Sequence, residues 1–220
     1  MSIRRKHVVL AGLLALLATE SYAQQGSRRI GIGAAIGNAQ EIFQAGAIST
    51  AGDSVAGAPA ILIPIQITNR LRIEPEIGVF RHSREEPGAI DVDYSVSTFE
   101  IGLGVFPQTL QQNFRLYYGL RVGYVAMEEE AKQTTSVRGT EVTATATQDA
   151  DGFFLAPAVG GEYLFSDRFS LGGEVQFRHI SVEGDVVFTL PGGLLPGVSP
   201  QRFERSVSGT RVLFVSRFYF

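Results

Sequence analysis

The chain has 220 residues, 45% hydrophobic content, 25 glycines and no cysteine or tryptophan, which suits one folded domain and excludes disulfide scaffolds, thiolate catalysis and cysteine-held metals. A formal net charge of −3 lacks the basic excess expected of a nucleic-acid binder. No stretch of 18 or more uninterrupted apolar residues occurs, which excludes a helical membrane protein.

The N-terminus begins with Arg4, Arg5 and Lys6, followed by the apolar run Val8–Ala18 and then "SYA" at Ser21–Ala23. A positive start, a short apolar core and small residues at the end have the layout of a cleavable export signal. The core is too short to cross roughly 30 Å of hydrocarbon as a helix. The expectation is a signal peptide over residues 1–23 and a mature domain over residues 24–220, outside the cytoplasm.

The mature chain alternates apolar and polar or small residues with period two, the pattern of strands with two different faces. "RRIGIGAAIG" sets Ile30, Ile32, Ala34 and Ile36 against Gly31, Gly33, Ala35 and Gly37. "AILIPIQIT" sets Ile61, Ile63, Ile65 and Ile67 against Leu62, Pro64, Gln66 and Thr68, and "LRIEPEIGV" sets Leu71, Ile73, Pro75, Ile77 and Val79 against Arg72, Glu74, Glu76 and Gly78. "FEIGLGVF" and "FRLYYGLRVGY" continue with Glu100, Arg115, Tyr117 and Arg121 on the face opposite the apolar one. "FFLAPAVGGEYLF", "FSLGGEVQFRH" and "RVLFVSRFYF" add Glu162, Glu174, Arg178, Arg211 and Arg217 to that face. These are about eight strands of roughly ten residues, the length of a tilted membrane-spanning strand.

The connections after the second, fourth and sixth strands, "TNR", "PQTLQQN" and "SDR", are short, and the others are long. Short turns on one side and long loops on the other match an up-and-down barrel with periplasmic turns and extracellular loops. "TSVRGTEVTATATQ" and "VVFTLPGGLLPG" are candidates for strand extension above the membrane.

One face is almost uncharged Ile, Leu, Val and Phe. The other carries Arg72, Glu74, Glu76, Glu100, Arg115, Arg121, Glu162, Glu174, Arg178, Arg211 and Arg217 among glycines. Arg and Glu are the residues that satisfy one another in bidentate pairs. The expected arrangement is therefore inverted, with apolar residues on lipid and an Arg/Glu network filling a narrow lumen. Glu100 and Arg121, at similar spacing from the turn between them, are expected to form one of its pairs. Phe114, Tyr163, Phe165, Phe169, Phe218 and Phe220 are placed in a periplasmic aromatic ring, and Tyr94, Tyr124, Phe153 and Phe177 in an outer one. Pro75 and Pro157 predict bulges or irregular pairing. Ser216 is a polar residue on the lipid face without a role.

These features resemble the small eight-stranded outer-membrane barrels of Gram-negative bacteria, the OmpA/OmpX-like family. The resemblance implies an all-β, eight-stranded antiparallel transmembrane barrel. It also implies a monomer in contact with outer-membrane lipid and lipopolysaccharide. The terminal Phe220, with Phe218, Phe214 and Val212, resembles the signal that the barrel-assembly machinery reads in that family. No nucleic-acid partner is implied, and the extracellular partner is left open. The implied role is structural or adhesion-like, through the outer loops.

Two rival functions come from specific residues. "FRHISVEG" places His179 and Ser181 on the lipid side of the seventh strand, similar to the outward Ser/His site of lipid A 3-O-deacylases. There Glu183 or Glu204 would orient the histidine. The Asn that follows the serine in those enzymes is Val182 here. The second rival is a small-solute or ion channel. His82 is read as a solvated loop-base residue. Glu128–Glu130 in "MEEEAK" head a long connection, either as a solvated run or as carboxylates for divalent cations. Arg81, Arg84, Lys132, Arg138, Arg202 and Arg205 are candidates for lipid phosphates. No phosphate loop, metal cluster or dinucleotide fingerprint is present in the sequence, so no cofactor or metal is expected.

Overall fold

The computed structural model describes residues 29–38, 59–86, 88, 91–137, 140–190, 193–194 and 200–220. The expected signal peptide, residues 1–23, and Arg138 lie outside them.

Every described element is a strand. They are β1 (Arg29–Asn38), β2 (Ala60–Leu62), β3 (Ile65–Thr68), β4 (Leu71–Glu86), β5 (Asp91–Gln111), β6 (Phe114–Val137), β7 (Thr140–Ser166), β8 (Phe169–Leu190), β9 (Gly193–Leu194) and β10 (Gln201–Tyr219). Each pairs antiparallel with its neighbours, and β10 closes on β1, so the sheet has no open side at this level. β2 and β3 together form the second stave and the two-residue β9 pairs antiparallel with the tip of β8, which leaves eight staves.

The stagger of the barrel can be followed residue by residue. Directly opposed partners run from Ser216 through Ala34, Ile61, Ile77, Ile101, Tyr124, Phe153 and Ser181 to Ser206. The path returns to β10 ten residues from where it began. Such a stagger goes with strands tilted about 35–45° and a lumen wide enough only for side chains.

The faces are inverted relative to a soluble protein. Phe214 is 60% exposed and its neighbour Leu213 is 2% exposed; Ile36 is 60% exposed and Ala35 fully buried. An apolar outer wall around a polar interior is stable only with lipid outside. Near the short turns Tyr163, Phe165 and Phe169 meet ring to ring, as do Phe218 and Phe220, forming one aromatic girdle. Tyr124 and Phe153 pair edge to face in the other girdle. Tyr94 does not join them. It shares the parity of the buried Val96 and Thr98 and so faces inward. Ser216 lies between Leu171 and Ala34 on the outer wall and is only partly exposed.

All three short turns contain two residues: Asn69–Arg70, Gln112–Asn113 and Asp167–Arg168. Thr68 Oγ1 accepts from the amide of Arg70, and Ser166 Oγ accepts from the amides of Arg168 and Phe169. These hydroxyls satisfy turn amides that the ladder cannot reach. In the middle turn Gln112 adopts φ 54°, the left-handed region. The seven-residue "PQTLQQN" connection is therefore mostly strand.

The long connections are also mostly strand. β5, β6, β7 and β8 have 21, 24, 27 and 22 residues, about twice what a membrane crossing needs. The Thr- and Val-rich segments continue the ladder beyond the aromatic girdle, with only residues 138–139 between β6 and β7. Glu128–Glu130 and His82 lie within β6 and β4, not in loops.

The prolines do not shift the register. Pro75 stays opposite Leu103, and Pro157 stays opposite Leu120. Each instead loses the ladder bond that its missing N–H would make. Ile63 still donates to the carbonyl of Pro75, and Gly31 donates to that of Pro64, without the reciprocal bonds. This splits the second stave into β2 and β3. Opposite β8, the β7 ladder skips Ala156 and Pro157 and resumes in the same register. The register shifts lie at Gln66/Thr68 and Leu164/Ser166, beside turns.

Gly102 and Gly123 are required by contact. A Cβ at either position would meet the ring of Phe154, which fills the lumen between them. Replacing Gly123 with Val is expected to cost about 1–3 kcal/mol by overpacking. The check is a lower urea midpoint for protein refolded into lipid vesicles, partly restored by adding Phe154→Leu. An unchanged midpoint would show that the ring has room elsewhere.

Candidate functional site

The site is the lumen. Period-two alternation turns every second side chain of each stave inward. All eleven charged residues on that face, from Arg72 to Arg217, are buried.

At the short-turn end, Arg115 donates to Glu162 at 2.7 Å and to the hydroxyl of Tyr219 at 3.1 Å. With its amide turned carbonyl-inward, Gln66 accepts from both Arg115 Nη1 and Nη2, at 2.9 and 2.8 Å. Glu162 is a hub that also accepts from Arg72, from Arg217 and from the hydroxyl of Ser170 at 2.8 Å.

The middle layer is built on Arg217 and Arg121. Arg217 grips Glu74 in a fork, with Nε at 2.7 Å from Oε2 and Nη2 at 3.0 Å from Oε1. Arg121 forks Glu174 with Nε and Nη2 at 2.7 and 2.9 Å, Nη2 also donates to Glu74, and Nη1 donates to Glu76 at 2.9 Å. Tyr117 donates to Glu174 at 3.1 Å and offers its ring to the Arg72 guanidinium at 4.2 Å. Phe106 lies under Arg121 at 4.7 Å. The cations thus use aromatic faces as well as carboxylates, which a guanidinium tolerates and an ammonium does less well.

In the upper layer Glu100 accepts from Arg178 at 3.1 Å and lies 3.5 Å from Arg211. Arg178 stacks on Phe154 at 4.1 Å. The expected Glu100–Arg121 pair is not formed. The two-residue turn at Gln112–Asn113 sets Arg121 opposite Gly104 and Glu100 opposite Val125, a four-residue offset along the stave.

Sequence reasoning set Tyr117 and Gln66 on the inward face but assigned no neutral residue to the network. Tyr117, Tyr219, Gln66, Ser170 and Gln176 are buried on the inward parity and bond to the charged set. That parity was available as a signal.

Above the girdle the outer wall turns polar at Ser95, Ser97, Glu128, Asp149 and Asp185. Here Glu129 points inward and is 3% exposed. Tyr94 hydrogen-bonds to it. Burial raises the carboxyl pKa, against the attraction of Arg205 and the Tyr94 bond. The same burial, with the Glu129 charge beside it, raises the phenol of Tyr94.

The lipid-facing alternative site is not assembled as a triad. His179 Nδ1 lies 2.9 Å from Ser208 Oγ, its directly opposed neighbour on β10. Ser181 Oγ accepts from Ser206 at 3.3 Å, and Glu183 is held by Arg202 at 2.7 Å. Side chains two apart on one strand point the same way from positions roughly 7 Å apart, so His179 is turned to its cross-strand partner instead of Ser181. Lys132 is likewise held, by Glu130 at 2.7 Å, and Arg205 faces inward. Arg202 and Lys132 are thus each paired with one of the protein's own carboxylates at the exposed outer wall. Among the described residues there is no group of three or more His, Cys, Asp or Glu side chains that could hold a metal.

The chain matches the family described as outer membrane protein beta-barrel domain over residues 9–190. It belongs to that family. Among solved structures it is similar to the outer membrane protein OprG of Pseudomonas aeruginosa, with 13% identity, 89% of this chain and 97% of that chain covered, and a TM-score of 0.56. It is also similar to Neisserial surface protein A at 14% identity, 88% and 97% coverage and a TM-score of 0.42. Ail, the attachment invasion locus protein of Yersinia pestis, matches at 15% identity, 89% and 100% coverage and a TM-score of 0.41. No curated protein matches. The family is that of bacterial outer-membrane barrels, which agrees with the apolar wall and the inward charges.

Two outcomes test the lumen of this outer-membrane barrel. Arg217→Met leaves Glu74 and Glu162 without their main partner and should cost about 3–5 kcal/mol. Adding Glu74→Gln should return part of that loss, read from urea unfolding in vesicles. Strictly additive losses would rule out the coupling.

The second concerns Glu129, whose folded pKa is raised. Below the unfolded carboxyl value, about 4.3, the group is protonated in both states and costs nothing. As pH rises above it the unfolded chain ionises first, so the penalty grows until the folded group ionises too. Glu129→Gln should therefore gain thermal stability relative to the parent between pH 4 and pH 7. A difference that does not vary with pH would refute this.

Proposed function

We propose that this barrel is a non-conducting outer-membrane scaffold that acts at the cell surface through its extended extracellular hairpins. The observation that carries this reading is the filled lumen. The charged network and the rings of Phe106, Tyr117, Phe154 and Tyr219 are all buried at membrane depth. What projects is a wall of long paired strands whose outer side is rich in carboxylates. Glu128, Asp149 and Asp185 stand directly opposite one another on three adjacent staves. Like charges placed so are unfavourable in a sheet taken alone. Their presence favours a surface selected for contact over one selected for stability.

In this reading the protein is exported by residues 1–23 and works as a monomer among lipid and lipopolysaccharide. The barrel-assembly machinery recognises Val212, Phe214, Phe218 and Phe220 during insertion. A deacylase role is less well supported, because His179 and Ser181 each bond to a different serine.

Planar-bilayer recording is the test. The parent protein should give no steady openings, and Arg121→Ser should raise conductance by removing the side chain that joins three carboxylates. Steady openings in the parent would replace the scaffold reading with a channel. Shortening the β6–β7 hairpin to a tight turn between Met127 and Ala150 should leave the folded barrel resistant to detergent. It should also abolish cell-surface attachment measured on expressing cells.

A further inference from the structure

The outer wall carries a groove on β6, β7 and β8, lined chiefly by Val122, Tyr124, Phe153, Leu155, His179 and Ser181. Its volume of about 550 Å³ is that of a small-ligand site, but one side is open, so an occupant enters from the membrane. Two features make the hollow. Tyr124 and Phe153 stand edge to face as a ridge, with Phe153 71% exposed. Directly opposite Phe153 on β8 is Ser181, whose side chain is a single hydroxymethyl.

This rung belongs to the outer aromatic girdle, so the groove lies where hydrocarbon gives way to head groups. The next outward-facing rungs of the same three staves are acidic. Two residues farther out stand Ala126, Asp151 and Glu183, and four residues farther out Glu128, Asp149 and Asp185, each set directly opposed. At about 3.3 Å per residue these rungs lie about 7 and about 13 Å along the strands from the groove. Arg202 covers part of the charge, since it pairs with Glu183 at 2.7 Å and stands opposite Asp185. On β7, Asp149 and Asp151 are exposed, and no ion pair among the described residues includes either.

An apolar hollow below open carboxylates narrows the class of occupant. A lipid carrying phosphate would bring its negative head group against Asp151, and a second copy of this wall would bring the same carboxylates. A basic amphipathic helix fits both parts. Such a helix lies in the interface with its apolar face in the acyl boundary and Lys or Arg on its polar face. Its diameter with side chains, about 10–12 Å, carries it from the groove to the acidic rungs.

We infer that this groove docks a basic amphipathic helical peptide lying in the outer leaflet. Its apolar side chains rest against Tyr124, Phe153 and Ser181, and its Lys or Arg side chains meet Asp151 and Asp149. The inference names a partner class for the carboxylate-rich wall and rests on the surface-contact reading above.

The test uses the whole barrel in nanodiscs of zwitterionic lipid. The probe is a synthetic helix of about 18 residues, five turns, with leucines on one face, lysines on the other and a photo-crosslinker. Fluorescence anisotropy should show tighter binding to the barrel than to empty discs, with crosslinks near Tyr124 and Phe153. Asp149→Asn combined with Asp151→Asn should weaken the probe about tenfold at low salt and little at high salt. Ser181→Phe fills the hollow and should weaken it at both, while the barrel keeps its resistance to detergent. The same helix with glutamate in place of lysine should show no preference for the barrel. Equal affinity in the parent and both variants, or crosslinks away from β6, β7 and β8, would overturn the docking groove. Cell attachment that survives the shortened β6–β7 hairpin would instead count against the surface-contact reading, so the two failures come from different assays.

Discussion

Every other feature of this molecule depends on one constraint: a charge inside an eight-stranded barrel in lipid has no access to bulk water. Each inward guanidinium meets carboxylates from other staves, and only Arg72 among those described also pairs along its own strand, with Glu74 at 3.5 Å. Arg217 reaches Glu74 and Glu162, residues 143 and 55 positions away in sequence. The polar interior thereby cross-links staves that touch only through their neighbours in the sheet. Stability here comes less from apolar burial, since the apolar face is on the outside, and more from pairings that fail badly if one member is lost.

That requirement selects the register and the glycines together. The ten-residue stagger gives a narrow lumen that long side chains must share. Bulky inward residues alternate with glycines on adjacent staves: the Phe154 ring rests on Gly102 and Gly123, and the Tyr117 ring lies against Gly160. Phe154 in turn supports Arg178. A glycine on β6 therefore positions a cation on β8 through an aromatic ring on β7. The prolines fit the same economy. Pro64 and Pro75 remove ladder bonds between β1 and β4 but keep the register, so the inward residues around them stay in place.

The faces of the fold were legible in the sequence because the side-chain period is two. One phase assigned to each stave places all eleven charged residues inward and Phe214, Val212 and Ile36 outward. Depth was less legible. It depends on where a hairpin turns, and a segment such as "PQTLQQN" looks like a loop although all but its last two residues extend a strand. That misplacement put Glu100 level with Arg121. The extension of β6 and β7 through "TSVRGTEVTATATQ" was legible as a candidate from its Thr- and Val-rich composition, and the two strands do run through it. Tyr94 was assigned by residue type to the aromatic girdle, whereas its parity with Val96 and Thr98 turns it inward. Parity decides orientation, and residue type only adjusts it.

The polar stripe on the outer wall of β8 and β10 follows from the same logic. His179, Ser181 and Glu183 face Ser208, Ser206 and Glu204 across one ladder. Going round the barrel, the ladder partners of His179 on β7 and β6 are Leu155 and Val122, so at this register the wall is still apolar on one side and already polar on the other. In a tilted barrel such a change marks the slope of the membrane boundary across the staves. A histidine there needs a partner that shields it from lipid, and the directly opposed hydroxyl of Ser208 supplies one at 2.9 Å. The pairing that makes His179 acceptable at this height also turns it away from Ser181. In the folded wall His179 and Ser181 therefore each meet a cross-strand serine, while Glu183 stands opposite Glu204 and is held by Arg202.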